Sequence, residues 1–507
     1  MGKLPRRLPR RFARVPRKMF LHQPADFRTR KAARRVTGNQ HDRMAAPGKF
    51  LEQRLDQNAH AAAQGDGVFE TEGDGHFVAR RKCATPSSKF NGGASTALWH
   101  RPGKFSSIAG SKSARWPGET APHPRMKVVI LTTDNREPFK QYGAPEPFFG
   151  TAPEALLQGF AQLPGQVEVH VVTCTRQPVR APEKLADNIF FHSLVVPKIG
   201  WMRTLFQGCI RAVRKKIREI RPDIVHGQGS ETEAAICAVF SGLPNVITIH
   251  GNMAELARLF KAPVGSYVWL AGKLENFALR RTAGVFCNSA YTEGLVRPRA
   301  KKIWRVPNAL RAEFFSPPRQ PPAARCQLLN IGVITPRKRQ LELLEVVERL
   351  RAAGLDFHFR FVGETPAADD YARVFLEKIR PLQAAGFASH AAPMKTAELM
   401  DEFDRSHALV HFPTEEAFGL VVAESLARGC KFFGARTGGI VDITTGVAGA
   451  ELFEMNDWNG LVAGIAAWMR GGFGRSDDGA RIMQERYSPP VIARRHLEIY
   501  RVVLAGG

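Results

Sequence analysis

Residues 414–429 read TEEAFGLVVAESLARG, and this window decides the fold. The run before it, HALVHF at 407–412, is short, apolar and β-prone, which predicts a buried strand of a parallel sheet. Phe418 and Gly419 turn the chain. Leu420, Ala423, Leu426 and Ala427 then recur at helical spacing, and Gly429 is placed to stop the helix. A strand entering a helix through a glycine leaves the first backbone N–H groups of that helix without intrahelical partners, and such a helix start binds phosphate readily. Glu416 falls just before this helix and Glu424 more than a turn inside it. Two glutamates alone are as a rule solvated surface acids. Flanking an anion site, they suit a ligand that carries both phosphate and hydroxyl groups.

Outward from the window, strands and helices alternate. Strands are expected at 127–132, 167–173, 189–196, 224–226, 246–250 and 284–288, with apolar helices such as 152–163, 233–240 and 268–280 between them. The proline-rich stretch VPNALRAEFFSPPRQPPAAR at 306–325 interrupts the pattern, which restarts with strands at 327–333, 357–362, 408–412 and 431–433 and a helix at 341–352. This is an α/β protein with two doubly wound parallel sheets, whose ligands gather at the carboxyl ends of the strands and in the cleft between the two halves. His250-Gly251 and Asn288-Ser289 fall at such strand ends.

The chain has 507 residues and a formal net charge of +26. Residues 1–125 hold 25 basic and 9 acidic side chains, and the remainder 48 and 38. The first 125 residues show no sustained apolar period, so they are expected to be disordered, or to precede the true start at Met126. Their Arg-rich opening also fits a nucleic-acid-binding arm or a targeting peptide. The rest is moderately basic, which suits anionic lipid or anionic substrates. Seven scattered cysteines without a C-x-x-C pair fit a reducing compartment and offer no metal site. No window is apolar for the eighteen or so residues a membrane span needs.

Gly332-Val333-Ile334-Thr335-Pro336-Arg337-Lys338 links a strand to a helix, and a glycine turn followed by cations can hold a diphosphate. Taken with Glu416-x-Phe418-Gly419-Leu420-x-x-x-Glu424 and Gly438-Gly439, the chain resembles the retaining family 4 glycosyltransferases, which have the two-domain GT-B fold. The likeness runs from Met126 to about Tyr500. It implies that Lys338, with Gly332, Arg337 and the helix start at Phe418-Gly419-Leu420, holds the donor diphosphate. It also implies that Glu416 orients the donor sugar, Glu424 binds the ribose, and Gly438-Gly439 loops over sugar and phosphates. His250 would reach across the cleft toward the sugar, and Gly150 would belong to the acceptor-side loop. Val306-Pro307-Asn308 resembles the family's interdomain segment, with Ala309 for its usual glycine. The chain departs from the pattern at Val333, where the family has arginine, and at Arg339, where it has glycine, so that Arg337 is the candidate for the missing charge.

The division expected is an extension over 1–125, an acceptor-side domain over 126–310, a linker over 311–325, a donor domain over 326–488, and a helix over 489–507 crossing back to the first domain. The resemblance implies transfer of a sugar from a nucleoside diphosphate to a glycan, lipid or small-molecule acceptor. With no Asp-x-Asp at a strand end, no metal or other cofactor is expected, nor a nucleic-acid partner, and the cysteines fit a cytoplasmic location, at the inner face of the membrane if lipid is met. A nucleotide-sugar epimerase of the same fold is the alternative, and a nucleic-acid-binding protein using the Arg-rich arm is a more distant one.

Overall fold

The computed structural model describes residues 125–506 apart from Ala368, so the expectation for the N-terminal extension lies outside the described residues but for Arg125. The first half runs β1 (Met126–Leu131), α1 (Thr151–Ala161), β2 (Val167–Thr175), β3 (Lys184–Ala186), β4 (Ile189–Val195), α2 (Gln207–Ile220), β5 (Ile224–Gln228), α3 (Ala234–Val239), β6 (Asn245–Ile249), α4 (Met253–Leu259), α5 (Tyr267–Leu279), β7 (Gly284–Cys287), α6 (Ala290–Val296) and β8 (Ile303–Arg305). These strands form one eight-stranded sheet in the order β3-β4-β2-β1-β5-β6-β7-β8, parallel except for the β3–β4 pair. β1, MKVVIL, is apolar at nearly every position because helices cover both faces of a parallel sheet. Val128 and Ile130 face a core shared with α1, while Val129 and Leu131 face the one shared with α2.

The second half runs β9 (Cys326–Ile331), α7 (Gln340–Ala352), β10 (Phe357–Val362), α8 (Asp370–Ala384), β11 (Ala388–Ala391), α9 (Thr396–Arg405), β12 (Ala408–His411), α10 (Leu420–Ala427), β13 (Lys431–Ala435), α11 (Ile440–Thr444), β14 (Ala450–Phe453), α12 (Trp458–Arg470), α13 (Asp477–Tyr487) and α14 (Pro489–Leu504). Its six-stranded sheet is ordered β11-β10-β9-β12-β13-β14 and is parallel throughout. In each sheet the order reverses beside the first strand, between β1 and β5 and between β9 and β12. The loops that follow these strands diverge there and leave a crevice at the carboxyl edge.

The last helix does not stay with the second sheet. α14 lies against α1 so closely that a Cβ on Gly159 would sit 2.2 Å from the Pro489 carbonyl oxygen. Ile492, Leu497 and Tyr500 are buried in the first sheet's core. Tyr500 is fully enclosed, its hydroxyl sharing a hydrogen bond with His226 Nδ1, and its ring packs with Phe160, Phe286 and His496. Burying side chains of this size stabilises by about 1.5–3 kcal/mol each, so the chain's end is anchored in the first half's core.

Candidate active site

β9 and β12 lie side by side at the switch point of the second sheet, so the loops that leave them meet. Gly332, just past β9, has φ +148°, and Gly363, just past β10, is so close that a Cβ there would lie 2.1 Å from the Gly332 oxygen. Both positions therefore require glycine. Gln340, buried at the start of α7, laces the loop by donating from Nε2 to the carbonyls of Gly332 and Val333 and accepting from the Thr335 amide. Thr414 N donates to the Arg337 carbonyl, joining the two loops.

This pairing of loops brings Lys338 Nζ to 2.9 Å from Glu416 Oε2, and the same oxygen lies 3.2 Å from His411 Nε2. Burial pushes the Glu416 carboxyl up, but Lys338, His411 and Arg337 outweigh it and hold the group well below the ordinary carboxylate range. Glu416 is thus no solvated surface acid but a largely enclosed glutamate, its side chain 14% exposed, held in its ionised form. Arg337 donates from Nη1 to the Glu415 carbonyl and lies 3.8 Å from the Glu415 carboxylate. Burial raises the Glu415 carboxyl above its usual value in spite of that arginine.

Gly419 caps α10 with φ +98° and no side-chain cap, the geometry expected of a strand-to-helix turn open to an anion. Phe418 is buried edge-on against Tyr487, and Leu420 belongs to the same core. Gly438 and Gly439 press on the underside of this loop. A Cβ on Gly438 would meet the Glu416 carbonyl at 1.8 Å, one on Gly439 would meet the Phe418 backbone at 2.6 Å, and Gly439 N donates to the Glu416 carbonyl. In this structure their direct contact is with the acidic loop itself. Glu424 is 2% exposed, and its carboxylate faces Arg311 of the linker at 3.8 Å. Arg311 also donates to Thr396 Oγ1 and acts on Glu154 in the first turn of α1, the helix that Gly150 caps.

From the facing half come His250, Asn252, Glu255, Tyr291 and Thr292, which line one crevice together with Arg337, Glu415 and Glu416. His250 Nε2 donates to Gln228 Oε1 at 2.8 Å, which leaves Nδ1 as the lone-pair nitrogen, buried and without a hydrogen-bond partner. Burial lowers His250 to about 4, so the ring is neutral and Nδ1 can accept from a ligand hydroxyl. Ser289 Oγ donates to the Ala417 carbonyl at 2.6 Å, and Ala290 N donates to Asp442 Oδ2. These bonds join the halves beside the crevice. Among the described residues, no cluster of three His, Cys, Asp or Glu side chains is placed to hold a metal ion.

Arg339, which stands where the family has glycine, is part of the scaffold. It adopts φ +60°, which explains the family's glycine, and it is held by Asn456 Oδ1 at 2.6 Å and by stacking 4.6 Å from the Trp458 ring centroid. Gln340, His411 and Tyr291 were not singled out in the sequence. A polar histidine closing the apolar run HALVHF was the one signal for His411, whereas Gln340 and Tyr291 carried none.

Residues 154–314 match the family described as Glycosyltransferase Family 4, and residues 313–483 match Glycosyl transferases group 1. Over 235 residues the chain is 28% identical to the phosphatidylinositol N-acetylglucosaminyltransferase gpi3 subunit of Schizosaccharomyces pombe, covering 44% of this chain and 48% of the relative. The aligned stretch thus spans about half the length of that curated relative. Among solved structures, sucrose-phosphate synthase of Thermosynechococcus elongatus superposes with a TM-score of 0.59 at 16% identity, covering 76% of this chain and all of the other. Anabaena HepE in complex with UDP and glucose superposes with a TM-score of 0.55 at 15% identity, over 75% of this chain and all of the other. At these identities the structural likeness is one of fold. The two adjacent family matches, on two facing parallel-sheet halves, make the chain a glycosyltransferase of the GT-B type.

Proposed function

We propose that this glycosyltransferase takes its sugar from a nucleoside diphosphate and transfers it with retention of anomeric configuration. The observation that carries the reading is the Lys338–Glu416–His411 array at the switch point of the second sheet, with neutral His250 opposite it. Lys338 is paired with Glu416. When a diphosphate enters, Lys338 exchanges that partner for phosphate oxygens, and Glu416, still held by His411, is freed to accept from the sugar hydroxyls beside the anomeric carbon. The uncapped start of α10 adds the partial positive charge of its first amides where the leaving group gains negative charge. His250 Nδ1 accepts from a sugar hydroxyl across the cleft. Glu424, set a turn into α10, serves the ribose.

Lys338 and the helix start supply this positive charge without a metal, so turnover is expected to survive chelation by EDTA. A strict requirement for Mg²⁺ or Mn²⁺ would overturn that role for Lys338. The UDP of the Anabaena complex makes UDP conjugates the first donors to test, and the name of the S. pombe relative makes phosphatidylinositol the first acceptor. The deciding experiment is a thermal-shift screen against UDP, GDP, ADP and their sugar conjugates, since a ligand of the folded state raises its stability. NMR of the product anomer with the donor so found completes it. An inverted product refutes retention. Donor consumption that yields an epimer without acceptor supports the epimerase alternative instead.

A further inference from the structure

The first half carries a surface that the cleft does not use. Between β4 and α2 the chain forms two short 3₁₀ turns that leave Ile199 73% exposed and Leu205 45% exposed. Neither is a loose loop tip. Trp201 Nε1 donates to the Val196 carbonyl and Thr204 Oγ1 to the Ile199 carbonyl. Gly200 packs directly on Gly208 at the start of α2, where a Cβ on Gly208 would lie 2.5 Å from the Gly200 Cα. The apolar tip and the helix are therefore one rigid unit. α2 buries Cys209, Ile210, Val213 and Ile217 and turns Arg211, Arg214, Lys215 and Arg218 outward as a single stripe.

A second apolar tip lies next to the first. Met202, the first residue of the second turn, packs against the cluster of Met253, Val268 and Ala271, as do Ala262 and Tyr267, so the loop after β4 and the loop joining α4 to α5 meet at one cluster. That second loop leaves Phe260 51% and Val264 82% exposed, with Lys261 between them. Lys198 and Arg203 are likewise exposed on the first loop. The last residue of α4, Leu259, lines the crevice together with His250 and Glu416, so this surface extends to the mouth of the site.

We infer that this face, formed by the two apolar tips and the cationic stripe of α2, docks the protein on an anionic lipid surface. Four large apolar side chains projecting from tightly bonded turns, ringed by cations, match the acyl–headgroup boundary of a membrane with negative lipids. Nucleic acid would use the cations but would leave Ile199 and Val264 exposed to water. The basic residues 1–125 and a second copy of this chain would each bring positive charge against positive charge. Combined with the transferase reading, the position of Leu259 means that a membrane-bound acceptor would be presented at the cleft mouth. The docking itself does not depend on that reading.

The test uses the full chain with Cys83→Ser, since the six described cysteines are buried. A single cysteine is introduced at Val264, at Ile199, or at the control position Glu348 on the exposed side of α7, and each is labelled with an environment-sensitive fluorophore. Vesicles of phosphatidylcholine with about a third phosphatidylglycerol should blue-shift and brighten the label at 264 and 199 and leave that at 348 unchanged, and pure phosphatidylcholine should do neither. Arg211→Glu with Arg214→Glu should weaken the response about tenfold, with the melting temperature retained. The proposal is overturned if the protein sediments with anionic vesicles while the labels at 264 and 199 stay silent, which assigns binding to another part of the chain. It is also overturned if an oligonucleotide, and not the vesicles, changes them, or if neutral and anionic vesicles act alike. The readout needs no donor, so it stands or falls separately from the transferase assay.

Discussion

The two walls of the cleft solve the problem of buried polarity in opposite ways. On the second-half wall Lys338 pairs with Glu416, whose carboxyl is held well below the ordinary range, and Arg337 lies 3.8 Å from the Glu415 carboxylate. On the first-half side Glu255 at the crevice is paired with Arg258, but His250 and the acids buried behind it are shifted toward their uncharged forms. Burial holds His250 down at about 4, and it pushes both Glu231 and Glu233, in the loop after β5, up to about 7. A wall of exchangeable ion pairs suits a ligand part that brings its own charge, such as a diphosphate. A wall of neutral acceptors and donors suits hydroxyl groups. On the proposed function this difference would set the two ends of one donor against the two sides of the cleft, and removing groups from each wall should produce different kinetic signatures.

The ionic wall should give the largest effect. Lys338→Ala removes the cation proposed to meet the diphosphate in the ground state and to gain importance as the bond breaks. A loss of about a hundred- to a thousandfold in kcat/KM is expected, carried by both parameters. Glu416→Gln should lower kcat about ten- to a thousandfold. Binding of the bare nucleoside diphosphate should hold or improve, because Lys338 no longer has a competing carboxylate. Glu424→Ala removes charged hydrogen bonds worth about 1.5–3 kcal/mol, which should weaken nucleotide affinity about ten- to a hundredfold and act mainly on KM. Calorimetric nucleotide affinity beside steady-state rates separates the three. If Glu416→Gln abolished nucleotide binding and Glu424→Ala spared it, the two roles would be reversed; if none of the three changed either quantity, the site would lie elsewhere.

The two walls were also unequally legible in the sequence. The ionic wall is built largely from two contiguous stretches, 332–338 and 414–424, in which glycines, charges and helical periodicity stand together, so Lys338, Glu416 and Gly419 could be picked out by spacing. The neutral wall collects single residues from β5, β6 and their loops, and only His250, next to a glycine at a strand end, left a local trace. Glu231 and Glu233, in GSETE, were not singled out, because nothing local says that the fold will bury them. The parallel strands with apolar runs were visible for the same reason that β1 is buried on both faces. β3, β8, β11 and β14 are three or four residues long, and pieces such as KLA and ASHA are too short to show a period. Arg339 shows a further limit. The sequence marked it only as a departure from the family's glycine, whereas its left-handed backbone and its contact with Trp458, 119 positions on, make it part of the scaffold.

The smallest effect expected is one of stability, and it sharpens the contrast because it resides in the neutral wall. Glu231 accepts from the Gly251 amide at 2.6 Å, and its value of about 7 lies above the ordinary 4.5 because burial favours the uncharged form. A carboxyl raised on folding binds its proton more tightly in the native state, so its contribution is fully present below about 4.5 and is lost as pH rises toward about 7. His250, lowered from 6.5 to about 4, has the opposite sign, and its contribution is lost as pH falls from 6.5 toward 4. In the wild type the two slopes partly cancel between pH 4.5 and 6.5. Glu231→Gln keeps an acceptor for Gly251 and removes the titration. Relative to wild type it should therefore gain stability on going from pH 5 to pH 8, by at most about 3 kcal/mol, or a few degrees in Tm for a chain of this size. His250→Gln should show the reverse tilt, gaining on wild type as pH falls from 7 to 4.5. Melting curves of the three proteins at those pH values decide it. Parallel pH profiles for all three would mean that the first-half wall is not neutral, and the division of the donor between the walls would lose its electrostatic basis.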